Sequence, residues 1–282
     1  MAIEAKGLRK SYGEQSVLEG LDLTVAPGEV VALLGPNGAG KTTTIGILTT
    51  LVAADAGTAS VAGYDVATQA DEVRRAISVT GQSASVDGLL TGHENLVMMA
   101  RLRGQSLAEA RATADEALVA FGLSEDSGKR VSAYSGGMRR KLDLALGLVG
   151  RAPVLLLDEP TTGLDTRARA WLWDQIRLAA RGGAAVLVTT QYLEEADQLA
   201  DRVVVLDGGR VVANDTPAAL KASVASPRLE MTTPDGSVTT HHTTASASDV
   251  RTLLADAPAD AMVTLRTPTL DDVFLELTSA ER

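Results

Sequence analysis

Short, mostly apolar runs recur along the chain, separated by stretches in which apolar residues return every three or four positions. Residues 30–34, 76–80, 154–157, 185–189 and 202–206 are rich in Val, Leu and Ala, and none exceeds five residues. Runs of that length predict strands buried from both sides, and their alternation with helical segments predicts an α/β domain. Residues 3–8 and 21–25 alternate more openly between apolar and polar, which predicts antiparallel strands at one flank. Asp207-Gly208-Gly209 separates two valine-rich runs and predicts a tight hairpin turn.

From about residue 83 to 150 the strand pattern gives way to helical periodicity, clearest over residues 106–121, which Gly122 stops. A helical block inside an α/β domain predicts an inserted subdomain. Arg167-Ala168-Arg169 reads as a turn, with Trp171 and Trp173 beyond it as packing residues. After Thr216 the composition shifts toward Thr and Ser. There Pro234-Asp235-Gly236 predicts a hairpin between residues 228–232 and 237–243, followed by a helix at 248–254 and a strand at 261–266. The last helix opens at Thr269, placed as a cap, with Asp272 placed to answer it. The expected organisation is one domain over residues 1–216 and a small β/α module over 217–282.

With 282 residues, 45% hydrophobic and 22% charged, the chain has ordinary globular composition, although only 3% is aromatic and aliphatic side chains must fill the core. The absence of cysteine excludes a disulfide scaffold, zinc–thiolate sites and thiol catalysis. No apolar run is long enough for a membrane helix, and the amino end lacks the apolar stretch of a signal peptide. A net charge of −10 without a local basic stripe argues against a nucleic-acid partner.

The chemistry starts at Gly35-Pro36-Asn37-Gly38-Ala39-Gly40-Lys41-Thr42, which follows an apolar strand and opens a helix predicted from Thr43 to residue 51. This is the complete G-x-x-x-x-G-K-[ST] phosphate loop in its required context. Glycines let backbone N–H groups turn toward phosphate oxygens, the helix start adds partial positive charge, Lys41 neutralises the outer phosphates, and the Thr42 hydroxyl can hold Mg²⁺. Downstream, residues 154–157 form an apolar strand that ends in Asp158-Glu159-Pro160. Asp158 fits a second Mg²⁺ anchor and Glu159 fits a group that polarises the attacking water. A second helix start, Ser135-Gly136-Gly137, has Ser135 as cap and Arg139, Arg140 and Lys141 just after it. One nucleotide does not need two such helix starts, so this one is expected to serve a nucleotide held by another copy of the chain. The pairs Glu194-Glu195 and Asp271-Asp272 read as charge at helix starts. His241-His242 are adjacent on an expected strand, face opposite ways and have no third ligand nearby, so no metal site is expected there.

The ordered set of phosphate loop, Gln82, Tyr134-Ser135-Gly136-Gly137-Met138, Asp158-Glu159 and Gly163-Leu164-Asp165 resembles the nucleotide-binding subunit of an ABC transporter. Residues 189–197 and 268–274 further resemble the daunorubicin-resistance branch of drug exporters. The resemblance implies a P-loop NTPase core of ABC type, with an antiparallel β flank, a helical insertion and the branch's carboxy-terminal module. It also implies roles for single residues. Tyr12 stacks on adenine, and Gln82 touches Mg²⁺ and the water. Ser135, Gly136 and Gly137 cover the opposite subunit's γ-phosphate, and Asp165 crosses the dimer.

Tyr134 and Met138 stand where the signature most often has Leu and Gln, leaving the Ser-Gly-Gly core intact. Gln191 stands where most such ATPases have a histidine; its amide can donate to the γ-phosphate but has no physiological titration. The implied function is an Mg²⁺-dependent ATPase that drives drug or antibiotic export at the cytoplasmic face of the membrane. Its implied partners are separately encoded permease subunits, docked on the helical insertion beside Gln82, and a second copy of itself. An importer ATPase, or a soluble ATP switch acting on ribosomes or DNA, are the alternatives.

Overall fold

The computed structural model describes residues 1–81, 86–149, 152–224, 226–255, 257–258 and 260–279. Two compact units divide the chain, Met1–Val212 and Ala213–Arg282, close to the compositional change at Thr216.

The first unit opens with an antiparallel hairpin of β1 (Ile3–Tyr12) and β2 (Gln15–Val25), and β3 (Val30–Leu34) then leads into α1 (Lys41–Leu48). β4 (Ala56–Val61) and β5 (Tyr64–Asp65) return to the flank, giving a sheet in the order β2-β1-β4-β5. α2 (Ala70–Ala76) and β6 (Ile77–Thr80) precede the helical block of α3 (Gly92–Leu102), α4 (Leu107–Ala120) and α5 (Gly136–Leu148). The chain then alternates through β7 (Val154–Asp158), α6 (Thr166–Arg181), β8 (Ala185–Thr190), α7 (Leu193–Leu199), β9 (Arg202–Asp207) and β10 (Arg210–Asp215). The main sheet has the order β10-β9-β3-β8-β7-β6, and β9, β3, β8, β7 and β6 run parallel.

Successive residues of the central strands enter two different cores, which is why their sequences are apolar throughout. Val30, Leu155, Leu157, Val186 and Val188 pack with the helical block and with Leu172 and Ile176 of α6. Val31, Leu33, Leu156, Leu187 and Leu206 pack instead with α1 and the β flank. Each fully buried Val or Leu side chain contributes about 1.5–3 kcal/mol. The phosphate loop and the Asp158-Glu159 pair therefore sit at the ends of strands fixed from both sides.

The helical block is held by its caps and a seam of small residues. Thr91 with Glu94 and Ser106 with Glu109 form capping boxes for α3 and α4. Ala110, Ala114 and Leu118 form the buried face of α4, and the alanines let it approach α3 closely.

Several elements differ from the sequence expectation. β1 and β2 extend well beyond the expected segments, because register shifts near Leu8 and Lys10 break their alternation. Helix α1 starts at Lys41 and ends at Leu48, since Thr50 takes a φ of 65°. The expected turn at Arg167-Ala168-Arg169 is instead the first turn of α6, where Asp165 caps Ala168 N at 2.7 Å. β4, β5 and α2 had no clear pattern in the sequence.

The second unit contains α8 (Pro217–Val224), β11 (Arg228–Thr232), β12 (Val238–His242), α9 (Ala247–Ala255), β13 (Met262–Arg266) and α10 (Leu270–Ser279). Its antiparallel sheet has the order β12-β11-β13. Leu220, Leu229, Met231, Leu270 and Val273 are buried, and α8 packs against α10. Thr269 and Asp272 exchange the two capping hydrogen bonds at the start of α10, at 2.8 and 3.3 Å. His241 and His242 are exposed and lie opposite Leu229 and Arg228 in the β11 register, hence on different faces. Among the described residues no cluster of three or more His, Cys, Asp or Glu is placed to hold a metal.

Candidate functional site

The phosphate loop turns from β3 into α1 under tight backbone constraint. Gly40 has a φ of 108°, and a Cβ there would lie 2.5 Å from Leu18 Cδ2 and 2.9 Å from the Val17 carbonyl. At Gly35 a Cβ would meet the Leu206 carbonyl at 2.3 Å. Both glycines are thus required by space, and the β flank reaches the loop at Val17 and Leu18. Lys41, Thr42 and Thr43 form the first turn of α1, whose leading N–H groups have no intrahelical acceptor.

Lys41 is only 5% exposed. Its ammonium donates to the Gly35 and Pro36 carbonyls at 2.7 and 3.0 Å and lies 3.9 Å from Glu159 Oε1. Burial pulls its pKa below the ordinary lysine value, while Glu159 and Asp158 act in the opposite direction. The cation is thus held against the loop's own carbonyls, within reach of the Glu159 carboxylate.

Asp158 ends β7 in register with Thr189 of β8. One carboxylate oxygen accepts from Thr42 Oγ1 at 3.2 Å and the other from Thr189 Oγ1. The hydroxyl of the phosphate loop and the strand-end carboxylate are therefore neighbours across a sequence separation of 116 residues.

Glu159 has a φ of 47°, a left-handed conformation that costs a non-glycine residue about 1–3 kcal/mol. Its N–H is shared between Thr189 O and Thr189 Oγ1 at 3.1 and 3.2 Å. Its carbonyl accepts from Thr162 N at 3.3 Å and from Arg140 Nη2 at 3.2 Å. Both sides of the residue are pinned, and the carboxylate is turned toward Lys41.

Ser135 caps α5, accepting from Met138 N at 3.3 Å, and the space beside Gly136 and Gly137 is open. Ser135, Gly137 and Lys141 line a groove of about 550 Å³ together with Gly163, Asp165 and Trp171. No phosphate-loop residue lines this groove.

The three basic residues that follow this helix start point in different directions. Arg139 donates to the Val131 and Ser132 carbonyls, and Arg140 turns inward to Gly81, Glu159 and Pro160, so only Lys141 lines the groove. Tyr134 is buried, its hydroxyl donates to Asp126 O at 2.9 Å, and its ring tip fills the space at Gly92. It therefore braces the helical block.

Gln191 is exposed just beyond β8. Tyr12 is 51% exposed at the tip of the β1–β2 hairpin, with Lys10 Nζ 5.5 Å from its ring centroid. The ring is thus available for stacking. Gln82 lies outside the described residues.

Glu195 lies in the first turn of α7, where the sequence reading places it, and it is only 1% exposed. Trp173 Nε1 donates to its Oε1 at 3.3 Å, while Oε2 has no partner among the described residues. Burial pushes this carboxyl above the usual range, and the nearby Thr190, Trp173, Thr161 and Arg169 offset that only in part. Trp173 is buried against it, and Trp171 packs edge-on to Phe121 with ring centroids 4.4 Å apart.

Because the folded state binds the Glu195 proton more tightly, this group's contribution to stability falls as pH rises from the ordinary Glu value toward its raised one. Glu195→Gln should therefore match or exceed the parent in melting temperature above neutral pH and flatten that slope. Thermal melts from pH 5 to 8 measure it, and a variant that melts lower at every pH with the parent's slope unchanged would refute the upward shift of this carboxyl.

The chain is similar to known proteins over most of its length. Residues 18–162 match the ABC transporter family. The chain is 46% identical to the daunorubicin resistance ATP-binding protein DrrA2 of Streptomyces coeruleorubidus, with 98% of this chain and 95% of that one covered. It is 42% identical to the doxorubicin resistance ATP-binding protein DrrA of Mycobacterium tuberculosis, over 99% and 94%. Among solved structures, a dimeric ATP-binding cassette in a post-hydrolysis state with ADP and phosphate superposes with a TM-score of 0.69 at 26% identity. That match covers 76% of this chain and 98% of the other.

Proposed function

The chain belongs to the ABC transporter family of ATP-binding proteins, and on that footing we propose that it powers drug or antibiotic export through a permease carried on separate chains. Binding and hydrolysis of ATP are the family's activity. The observation that carries the reading here is the meeting of Thr42 with Asp158 at 3.2 Å, beside Lys41 and the pinned Glu159.

Lys41 and the N–H groups at the start of α1 bind the phosphates, and Tyr12 offers its ring to adenine. The Thr42 hydroxyl and the Asp158 carboxylate make a hard oxygen pair that fits Mg²⁺, joined in this reading by Gln82. An ion held by Thr42 and Asp158 would supply neutralising charge to the phosphate groups. Glu159 orients and polarises the attacking water, and Gln191 donates to the γ-phosphate.

The groove holding Ser135, Gly137 and Asp165 is lined by no residue of the chain's own phosphate loop, which supports its use by the nucleotide of a second copy. Reciprocal use of that kind makes a two-fold dimer with two ATP sites. ATP favours closure because the closed dimer binds it more tightly, and hydrolysis releases it.

Among the described residues no helix is long and apolar enough to cross a membrane. On this reading the permease docks on the helical block, the chain works at the cytoplasmic face, and no nucleic acid takes part.

Affinity capture of the tagged chain from detergent-solubilised native membranes with ATP tests the assembly. The expected result is stoichiometric recovery of a polytopic membrane protein, with drug sensitivity rising when either gene is lost. Recovery from the soluble fraction with ribosomes or DNA would replace this reading with that of an ATP switch.

A further inference from the structure

Arg140 lies one turn inside α5, the helix whose start presents Ser135, Gly136 and Gly137. Its side chain is 13% exposed and does not line the groove that Ser135 and Gly137 line. Instead its guanidinium spreads over three backbone carbonyls from two other segments. Nε donates to Pro160 O at 3.2 Å, Nη2 to Glu159 O at 3.2 Å, and Nη1 to Gly81 O at 2.8 Å. Asp143, one turn further along α5, holds Nη1 from the other side at 3.3 Å.

The carbonyls of Glu159 and Pro160 follow directly on the left-handed Glu159 backbone, whose side chain is the carboxylate assigned to polarise water. Gly81 ends the segment that runs from β6 directly into Gln82. A single planar fork of five donors thus joins the signature helix, the carboxylate turn and the approach to Gln82.

We infer that Arg140 is a positioning residue for ATP hydrolysis: it fixes the backbone of Glu159 to the position of α5, so that the carboxylate is aimed only when the signature helix is in place. This rests on the assignment of Glu159 made above. Thr189 holds the Glu159 N–H from β8 and Thr162 N holds its carbonyl from within the same loop, whereas Arg140 is the contact that reaches this carbonyl from α5. Charge alone does not perform this task. A lysine ammonium is a compact point charge and cannot serve three divergent carbonyls in a fixed plane as a guanidinium does.

The test compares the full-length parent with Arg140→Met, Arg140→Lys and Glu159→Gln. It uses MgATP affinity, single-turnover hydrolysis of labelled ATP at excess protein, and thermal melting. The expected result for Arg140→Met is a hydrolysis rate lower by about tenfold or more with Kd within about threefold of the parent. Arg140→Lys, which keeps the cation and the apolar stem, is expected to fold and to remain closer to Arg140→Met than to the parent. Parent-like hydrolysis in Arg140→Met beside an inactive Glu159→Gln overturns the inference and leaves the Glu159 assignment standing. Parent-like hydrolysis in Glu159→Gln overturns that assignment instead, and the inference with it. A fall in affinity that matches the fall in rate, or failure of both Arg140 variants to fold, makes Arg140 a structural brace and also overturns it.

Discussion

Glu159→Gln is expected to keep MgATP binding, to lower phosphate release by about 10²–10⁴-fold, and to leave an ATP-bound dimer that persists through gel filtration. The amide has the carboxylate's shape and tolerates the left-handed backbone no worse, so the pins from Thr189 and Arg140 should survive. It cannot take a proton or polarise water as an anion does. Removing the negative charge also removes repulsion toward the γ-phosphate, so ATP should be held at least as well as in the parent. Closure then proceeds and the step that reopens the dimer does not. Steady-state phosphate release and the elution position with ATP against ADP measure the two parts. Turnover at the parent's rate would remove Glu159 from the role of water-polarising residue.

What the sequence made legible follows from how each element is buried. β3, β7 and β8 were readable because both faces are covered, which leaves five- and six-residue runs of apolar side chains with little else inside them. The phosphate loop was readable because Gly35 and Gly40 admit no side chain, so its spacing cannot drift. β1 and β2 were readable only in pieces, since each register shift moves the apolar set to the other face and interrupts the period. The start of α6 resembled a turn because its first helical residues are polar and its cap, Asp165, was assigned to the opposite site by resemblance.

Two buried side chains went beyond the sequence reading, and they share one cause. Arg139, Arg140 and Lys141 were noted together just after the helix start, and Glu194 and Glu195 together as helix-start charge, which the first turn of α7 bears out. On a helix, consecutive residues point about 100° apart and do not share a face. Arg140 therefore turned inward to carbonyls while Lys141 stayed on the groove. Glu194 likewise stayed exposed beside Arg169 while Glu195 was buried against Trp173. The helical period, applied residue by residue, was the signal for both buried groups; which of them would find partners depended on tertiary contacts beyond the reach of the local sequence.

Lys41→Met separates binding from stability at the phosphate loop. The ammonium sits among Gly35 O, Pro36 O and the Glu159 carboxylate, and among the described residues no other basic side chain pairs with that carboxylate. Without Lys41 the outer phosphates would meet Asp158 and Glu159 with less opposing charge. A unit charge about 4 Å from a phosphate is worth up to about 4 kcal/mol near a protein surface. The expected loss of ATP affinity is therefore about 10²–10³-fold, with hydrolysis lost alongside. Stability should move differently. Burial lowers the Lys41 pKa, so the fold bears a desolvation cost for this cation when no phosphate faces it. Methionine keeps the apolar stem and removes that cost, so the nucleotide-free variant should melt no lower than the parent. At ATP concentrations near the parent's Kd, nucleotide should raise the parent's melting temperature and shift the variant's far less. A variant that gained as much stability as the parent would place the phosphate-binding charge elsewhere; one that melted far lower without nucleotide would make Lys41 a structural support of the loop.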